Sequence, residues 1–415
     1  LAARLGRPRA PRARRRFFQL GGDAASQDAS VALFYDERMT GHRNVEAGRH
    51  PERPQRVEQI MRRLEAEGLS QRCQRLPCRE ATREELELRH TAEHVEAMLG
   101  LGALGEAAAA QKGREYKDVF LCPESTTAAL LSAGAVLEAT ERVCAGEVQS
   151  AVCVVRPPGH HAERECAQGF CMFGNVAVAA AKARREGWSE RTLIVDFDVH
   201  HGNGTQHMFE EDSSVLFFSL HRFDGGKFYP STQLGNFTSD GVGPGVGYSV
   251  NVPWDVEGAR QRKEPPPGDA EALYAFDRVF LPIAKEFDPD LVIVSAGFDA
   301  ARGDPLGGCL ISPKGYYEMT ARLQSLAKGR LVVALEGGYE LDSCSESMAA
   351  CVRALLGDPV SAVGGGGGGL FDVFGGAGGE REESTKQATV FHVSTIEEAR
   401  RHLSKIWKCL RPKRV

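Results

Sequence analysis

Six short runs of apolar, largely β-branched residues, separated by stretches of helical periodicity, restrict this chain more than any other feature. They are VALFY (31–35), AVCVV (151–155), TLIVD (192–196), VLFFS (215–219), LVIVSA (291–296) and LVVAL (331–335). Runs this short and nearly unbroken fit strands covered on both faces, as in a parallel sheet between helices. Helices are predicted between them over 52–67, 83–100, 125–145, 175–187, 270–287 and 314–328. The alternation predicts an α/β fold, a doubly wound, mainly parallel sheet with helices on both faces.

That pattern runs over 31–360, which reads as one domain. Residues 1–30 carry the run RPRAPRARRR and read as a disordered basic arm, suited to nuclear import or phosphate binding, or else a solvated tail. Gly364–Gly369 marks a flexible linker over 361–390. The tail, 391–415, is predicted to hold an amphipathic helix with Ile396, Ala399, Leu403, Ile406 and Leu410 near helical spacing. It would dock on the domain, bind a partner or lie at the surface. There is no internal repeat.

A net charge of −5 argues against a dedicated nucleic-acid binder. No stretch of about 18 apolar residues is present to span a membrane, and the Arg-rich start is not a secretory signal. Eleven cysteines occur without a CxxC pair and read as reduced thiols. A cytoplasmic location is expected, with the nucleus as a second one.

In an open parallel sheet, ligands bind outside the carboxyl ends of the strands. Four of the six runs end in chemistry. AVCVV leads to Arg156-Pro-Pro-Gly-His160-His161, and TLIV to Asp196-Phe-Asp198-Val-His200-His201-Gly-Asn203. LVIVSA leads to Gly297-Phe-Asp299, and LVVAL to Glu336-Gly-Gly-Tyr339. Asp198 and His200 fall on one side of an extended segment, and Asp299 adds a third ligand while leaving a coordination position open, as a catalytic zinc requires. Two adjacent buried imidazoles cannot both be charged cheaply, so of His160 and His161 one is expected neutral as general base and the other protonated. Asp196 and Asn203 are the natural orienting partners. A phenol at Tyr339, after two glycines that let the backbone turn, can donate to an oxyanion.

These residues, in this order, resemble the histone deacetylase family. The motifs are RPPGHH, GFCMF, DFDVHHGNG, SAGFDAARGDPLGG and LEGGY, and the likeness runs from about Val31 to Pro359. Asn203, where class I enzymes have Asp, resembles class II. HPERPQR (50–56), SLHRFD (219–224) and GDPLGGC (303–309) point to class IIb, the branch containing the tubulin deacetylases. The resemblance implies a zinc-dependent lysine deacetylase with one zinc on Asp198, His200 and Asp299. It makes His161 the general base and later acid, His160 a protonated helper, and Tyr339 the group that polarises the acetyl carbonyl with the metal. Phe170, Tyr229 and Gly169 would line the substrate's aliphatic chain. A structural potassium would lie at Asp196, Asp198, His200, Ser219 and Leu220, and a second monovalent cation near Phe209, Asp212 and Val215.

Four departures stand out. Tyr229 takes a place usually held by Phe or Trp, and Asp118 one where close relatives carry a Ser that accepts the substrate amide proton. Gly174 replaces an Asn, and Arg260–Gly268 is a Pro-rich insertion. Leu306 follows GDP, where polyamine deacetylases place a Glu, so acetylated proteins (tubulin, histones or chaperone-like clients) are the expected partners over acetylpolyamines. A dinuclear manganese hydrolase is disfavoured because Gly202 stands where a bridging Asp would be. A non-catalytic acetyl-lysine scaffold is disfavoured because no ligand, dyad His or Tyr is missing.

Overall fold

A computed structural model describes residues 30–46, 48–363 and 388–412. The basic arm and most of the Gly-rich linker lie outside these residues.

Eight strands form one sheet: β1 (Val31–Phe34), β2 (Gln74–Leu76), β3 (Ser150–Cys153), β4 (Thr192–Asp196), β5 (Val215–Arg222), β6 (Ser249–Trp254), β7 (Leu291–Ala296) and β8 (Leu331–Leu335). Their order is β2-β1-β3-β8-β7-β4-β5-β6, and every pair is parallel. The strands that carry the four motifs, β3, β8, β7 and β4, are therefore consecutive at the centre of the sheet. Segments as far apart in sequence as Ser150 and Leu331 end side by side.

Period-two alternation divides the core into two layers. Leu193 and Val195 of β4, with Val292 and Val294 of β7, face the helices Gln55–Ala66, Pro313–Gln324 and Leu341–Leu355. Ile194, with Leu291 and Ile293, faces the opposite layer, built on Ser125–Ala145 and Asn175–Arg185. The Ser125–Ala145 helix is buried around most of its circumference, and its small residues permit close approach. A Cβ at Gly134 would overlap the Arg79 carbonyl.

Two strands escape the sequence pattern, and both are edges. β2 is polar and mostly exposed, so it has no apolar run. β6 contains Pro253, which an edge strand tolerates because one side of its backbone needs no ladder partner. Two predicted helices are interrupted. The stretch 83–100 divides into Arg83–Leu86 and Ala92–Leu99, because Thr82 and Thr91 each cap a separate start. The stretch 270–287 passes through a widened π turn at Phe276–Phe280 between Asp269–Ala275 and Leu281–Phe287. Pro282 lacks an N–H and crowds the carbonyl four residues back, so a regular ladder cannot pass it.

The C-terminal helix, Val390–Leu403, packs against the layer below β6. Ile396, Ala399 and Leu403 are fully buried, and Trp407 and Leu410 after it are buried too. Trp407, rather than Ile406, takes the deep position. The helix has ended by then, and the indole N–H donates to the Gly247 carbonyl at 2.9 Å. The Pro-rich stretch meets this helix, with the Pro265 carbonyl 3.1 Å from His392 Nε2. All eleven cysteines are free. No helix among the described residues is long and apolar enough to cross a membrane.

Candidate metal centre and active site

The turn after β4 folds back on itself because its own carboxylates accept its backbone donors. Asp196 Oδ1 accepts from the Asp198 N–H at 3.1 Å, and Asp198 Oδ1 from the His200 N–H at 2.9 Å. Asp299, from the end of β7, accepts from the Val199 N–H at 2.7 Å. These bonds bring three donor atoms together. His200 Nδ1 stands 3.0 Å from both Asp198 Oδ1 and Asp299 Oδ2, and one ligand atom from each residue lies within 4.8 Å of the others. Two glycines are packed against the carboxylates, since a Cβ at Gly297 or Gly337 would overlap Asp198.

Two carboxylates and an imidazole buried at this separation fit a divalent ion such as zinc. Burial and the neighbouring Asp198 charge push Asp299 above the carboxylate range, with His200 opposing them. A cation held there would relieve that conflict. A second ligand-bearing neighbour at 202 is sterically barred, because a Cβ at Gly202 would overlap Asp196 Oδ2.

The two histidines of the β3 turn are held differently. His160 Nδ1 lies 3.0 Å from Asp196 Oδ2, and its Nε2 lies 3.8 Å from Asp198 Oδ2. Burial opposes its charge, but the Asp198 and Asp196 carboxylates outweigh burial and hold it well above the usual histidine range. His161, its ring tilted 41° to that of His160 with centroids 4.0 Å apart, has Asn203 Oδ1 at 2.7 Å from Nδ1. Burial, the His160 charge and His200 together depress it well below the usual range. The carboxylate beside His160 favours its charged form, and the amide beside His161 does not.

Glu336, at the end of β8, ties the two turns. Its carboxylate accepts from the Gly159 N–H at 2.6 Å, the His160 N–H at 3.1 Å and Ser295 Oγ at 3.1 Å. Burial pushes it up to about 7, against the pull of His160. Tyr339 follows, its N–H donating to Asp304 Oδ2 at 2.7 Å. Burial raises its phenol well above the ordinary tyrosine value, against Arg56, so it remains a donor at neutral pH. Beneath it, Arg56 donates to the Gly338 carbonyl at 2.6 Å and to the Glu336 carbonyl, with its guanidinium 5.0 Å from the Tyr339 ring. Glu52, fully buried, bridges Arg56 at 3.2 Å and Arg156 at 2.6 Å. Burial opposes its charge, yet the two guanidiniums hold it down at about 2.

Aromatic rings wall the approach. Phe170 meets Tyr339 edge-on at 5.9 Å, Tyr229 meets His161 at 5.0 Å, and Phe228 stacks on His200 at 5.1 Å. Gly169 is obligatory here: at φ +55° its Cβ would sit 2.6 Å from His161 Cδ2 and 2.8 Å from the Tyr229 hydroxyl. At the rim, exposed Asp118 accepts the Phe170 N–H on its carbonyl at 2.8 Å. Half-buried Leu306 donates its N–H to Asp304 Oδ1 at 2.8 Å. Ser219 is the register partner of Asp196 across β4 and β5, and Leu220 follows it. His160, His161, Asp196, Asp198, His200, Asn203, Asp299 and Tyr339 therefore meet in one centre with Phe170, Tyr229 and Gly169. Asp118 and Leu306 stand at its edge. A surface hollow of about 560 Å³ beside Tyr35, Arg38, Glu58 and Glu124 is separate from this chemistry.

Sequence reading left Glu336, Glu52, Arg56, Phe228 and Glu163 without roles. Glu336 and Arg56 lay inside quoted motifs and Phe228 beside Tyr229. Glu163 carried no signal, since its partner Asn203 is 40 residues away.

The histone deacetylase domain family matches residues 50–355. Histone deacetylase 5 of Arabidopsis thaliana is 44% identical over 81% of this chain and 51% of its own length. Polyamine deacetylase HDAC10 of Homo sapiens is 43% identical over 81% and 49%. The chain thus spans about half the length of these curated relatives. The crystal structure of the HDA15 HD domain superposes with a TM-score of 0.79 at 39% identity, covering 92% of this chain and 96% of that one. A match that extends unbroken from His50 to Leu355, across every strand end that builds the centre, means that this chain belongs to the histone deacetylase family.

Proposed function

We propose that this chain is a zinc-dependent lysine deacetylase that hydrolyses the acetyl amide of N-ε-acetyl-lysine in proteins, releasing acetate. The observation that carries this reading is the geometry of the two histidines, His160 Nδ1 3.0 Å from the Asp196 carboxylate and His161 Nδ1 2.7 Å from the Asn203 amide oxygen, beside a buried Asp-His-Asp set. One zinc ion, held by Asp198, His200 and Asp299, supplies Lewis acidity to the acetyl carbonyl and to the attacking water.

His161 takes the water proton and returns it to the departing lysine nitrogen. His160 stays protonated and offsets the negative charge that develops beside it. Tyr339 donates to the carbonyl oxygen as it becomes an oxyanion. Phe170 and Tyr229, with Gly169 between them, hold the aliphatic chain of the lysine, and Asp118 accepts the substrate's backbone amide proton. We extend the reading to a structural potassium at Asp196, Asp198, His200, Ser219 and Leu220, and to a further monovalent cation near Phe209, Asp212 and Val215.

Acetylated polyamine is the competing substrate, favoured by the likeness to the human polyamine deacetylase. Leu306 favours acetylated protein, because an apolar side chain offers no countercharge to a second ammonium group. The nature of the protein, whether tubulin, a histone or another acetylated client in cytoplasm or nucleus, does not alter the chemistry. Acetate release from acetyl-lysine peptides and from N-acetylpolyamines, each with and without a chelator, tests the reading. Chelator-sensitive release from peptides, at least tenfold faster than from polyamines, is expected; the reverse preference would replace the substrate, and peptide binding without acetate release would replace the enzyme with a scaffold.

A further inference from the structure

An asparagine amide has two faces of similar shape and opposite polarity, so something must decide which one meets the dyad histidine. Asn203 faces His161 on one side, with Oδ1 at 2.7 Å from His161 Nδ1. On the other side its Nδ2 donates to Glu163 Oε1 at 2.5 Å and lies 3.5 Å from the His161 carbonyl. An ionised carboxylate only accepts hydrogen bonds. Glu163 therefore excludes the flipped amide, which would set oxygen against oxygen.

Glu163 is well placed to do this. Its backbone carbonyl is 3.0 Å from His90 Nδ1, and its N–H donates to the Cys166 carbonyl at 3.0 Å. Its two carboxylate oxygens each lie 2.9 Å from Nδ1 of half-exposed His207, at the outer end of the chain. The side chain is thus fixed from both ends, facing the amide.

We propose that Glu163 is a positioning residue for the dyad: by accepting from Asn203 Nδ2 it presents Asn203 Oδ1 to His161, and so locks the imidazole in the tautomer that carries its proton on Nδ1 and keeps Nε2 free as the base. The flipped amide would offer a donor to Nδ1, move the proton to Nε2 and silence the base. No covalent step is added to the reaction, and the proposal rests on the deacetylase reading above for its kinetic consequence only.

The logic reverses with the charge at 203. An amide at 203 needs an acceptor at 163, whereas a carboxylate at 203 needs a donor there. Glu163→Gln alone leaves both amide orientations open, and a lost orienting hydrogen bond lowers kcat about tenfold with KM changed less than about twofold. Asn203→Asp alone sets two carboxylates face to face and lowers kcat by a similar factor. The double variant Asn203→Asp/Glu163→Gln pairs a donor with a carboxylate and recovers most of the loss. His207→Ala, which removes only the outer contact, should change kcat by less than about twofold.

The test combines kcat and KM of these four variants with ¹⁵N spectra of histidine-labelled protein, the His161 signals being identified by their loss in His161→Asn. Wild type is expected to show Nδ1 protonated and Nε2 bare, and Glu163→Gln a mixture of tautomers. Two single losses that merely multiply in the double variant, or a Glu163→Gln spectrum identical to wild type, would overturn the proposal. A chain that releases no acetate but shows the tautomer change would keep the positioning role and sink the deacetylase reading. Should Glu163→Gln fold poorly, Glu163→Asp retains an acceptor drawn back by one carbon, and an intermediate tautomer mixture is expected; an unchanged spectrum would again overturn the proposal.

Discussion

Tyr339 arrives at the centre on a turn with little freedom. Arg56 holds the Glu336 and Gly338 carbonyls that lead into it, Asp304 holds its N–H, and a Cβ at Gly338 would press on Cys344. Its hydroxyl is the part that the proposed chemistry uses. Replacing it with Phe keeps the ring, its edge contact with Phe170 and the guanidinium over its face. Tyr339→Phe should therefore lower kcat by about 10²–10³-fold, the usual cost of one oxyanion donor, while zinc content and melting temperature stay close to wild type. Full activity would remove the phenol from the mechanism. The complementary change is Asp299→Asn, which keeps the shape but removes one anionic ligand. Zinc bound after dialysis should fall at least about tenfold, on the scale of losing a whole ligand rather than a supporting contact. Retention of stoichiometric zinc would place the ion elsewhere.

At this scale the sequence revealed types and spacings but not partners. Asp198, His200 and Asp299 could be read as ligands because they follow strand ends. That His160 and not His161 meets a carboxylate depends on which ring reaches Asp196, a matter of three-dimensional direction. Glu52 shows the same gap. Its buried bridge joins two motifs 100 residues apart, and only folding brings them together.

At the level of elements, central strands were legible because both faces are covered and the apolar run is continuous. The edges were not, since β2 is polar and β6 contains Pro253, each permitted by a missing neighbour. Helices written as single stretches break where Thr91 starts a new cap and where Pro282 opens the ladder. The tail helix was legible from spacing, but its use was not. Leu403 is fully buried against the domain, so Leu403→Ala should cost about 3 kcal/mol, within the range for buried leucines. The measurement is the midpoint of thermal or urea unfolding, with acetate release retained in the folded protein. An unchanged midpoint would mean that the tail does not contribute to the stability of the domain in solution.

For the whole molecule, the buried histidines set a limit on acid stability. His42 is stacked on Phe120 at 4.4 Å with Nδ1 2.7 Å from Ser125 Oγ, and burial, then the Arg156 charge, hold it down at about 3. His90 accepts the Gly174 N–H on Nε2 at 2.9 Å and has Nδ1 3.0 Å from the Glu163 carbonyl. Burial, then His94, hold it at about 3 as well. In each case the folded value lies below the unfolded value of about 6.5. Between these values the unfolded chain binds more protons than the folded one, so stability rises with pH in that window. The contribution is fully present above about 6.5 and is lost as pH falls toward 3. At pH 5 each histidine costs about 2 kcal/mol relative to pH 7 or above. Both lie on elements away from the metal ligands, so the loss should appear equally with and without zinc. Replacing His42 with Gln, which keeps a donor and an acceptor but does not titrate, should flatten the fall in unfolding free energy between pH 7 and pH 5 by about that amount. An unaltered slope in His42→Gln would show that His42 titrates alike in the folded and unfolded chain, and that its burial between Phe120 and Ser125 does not exclude the proton.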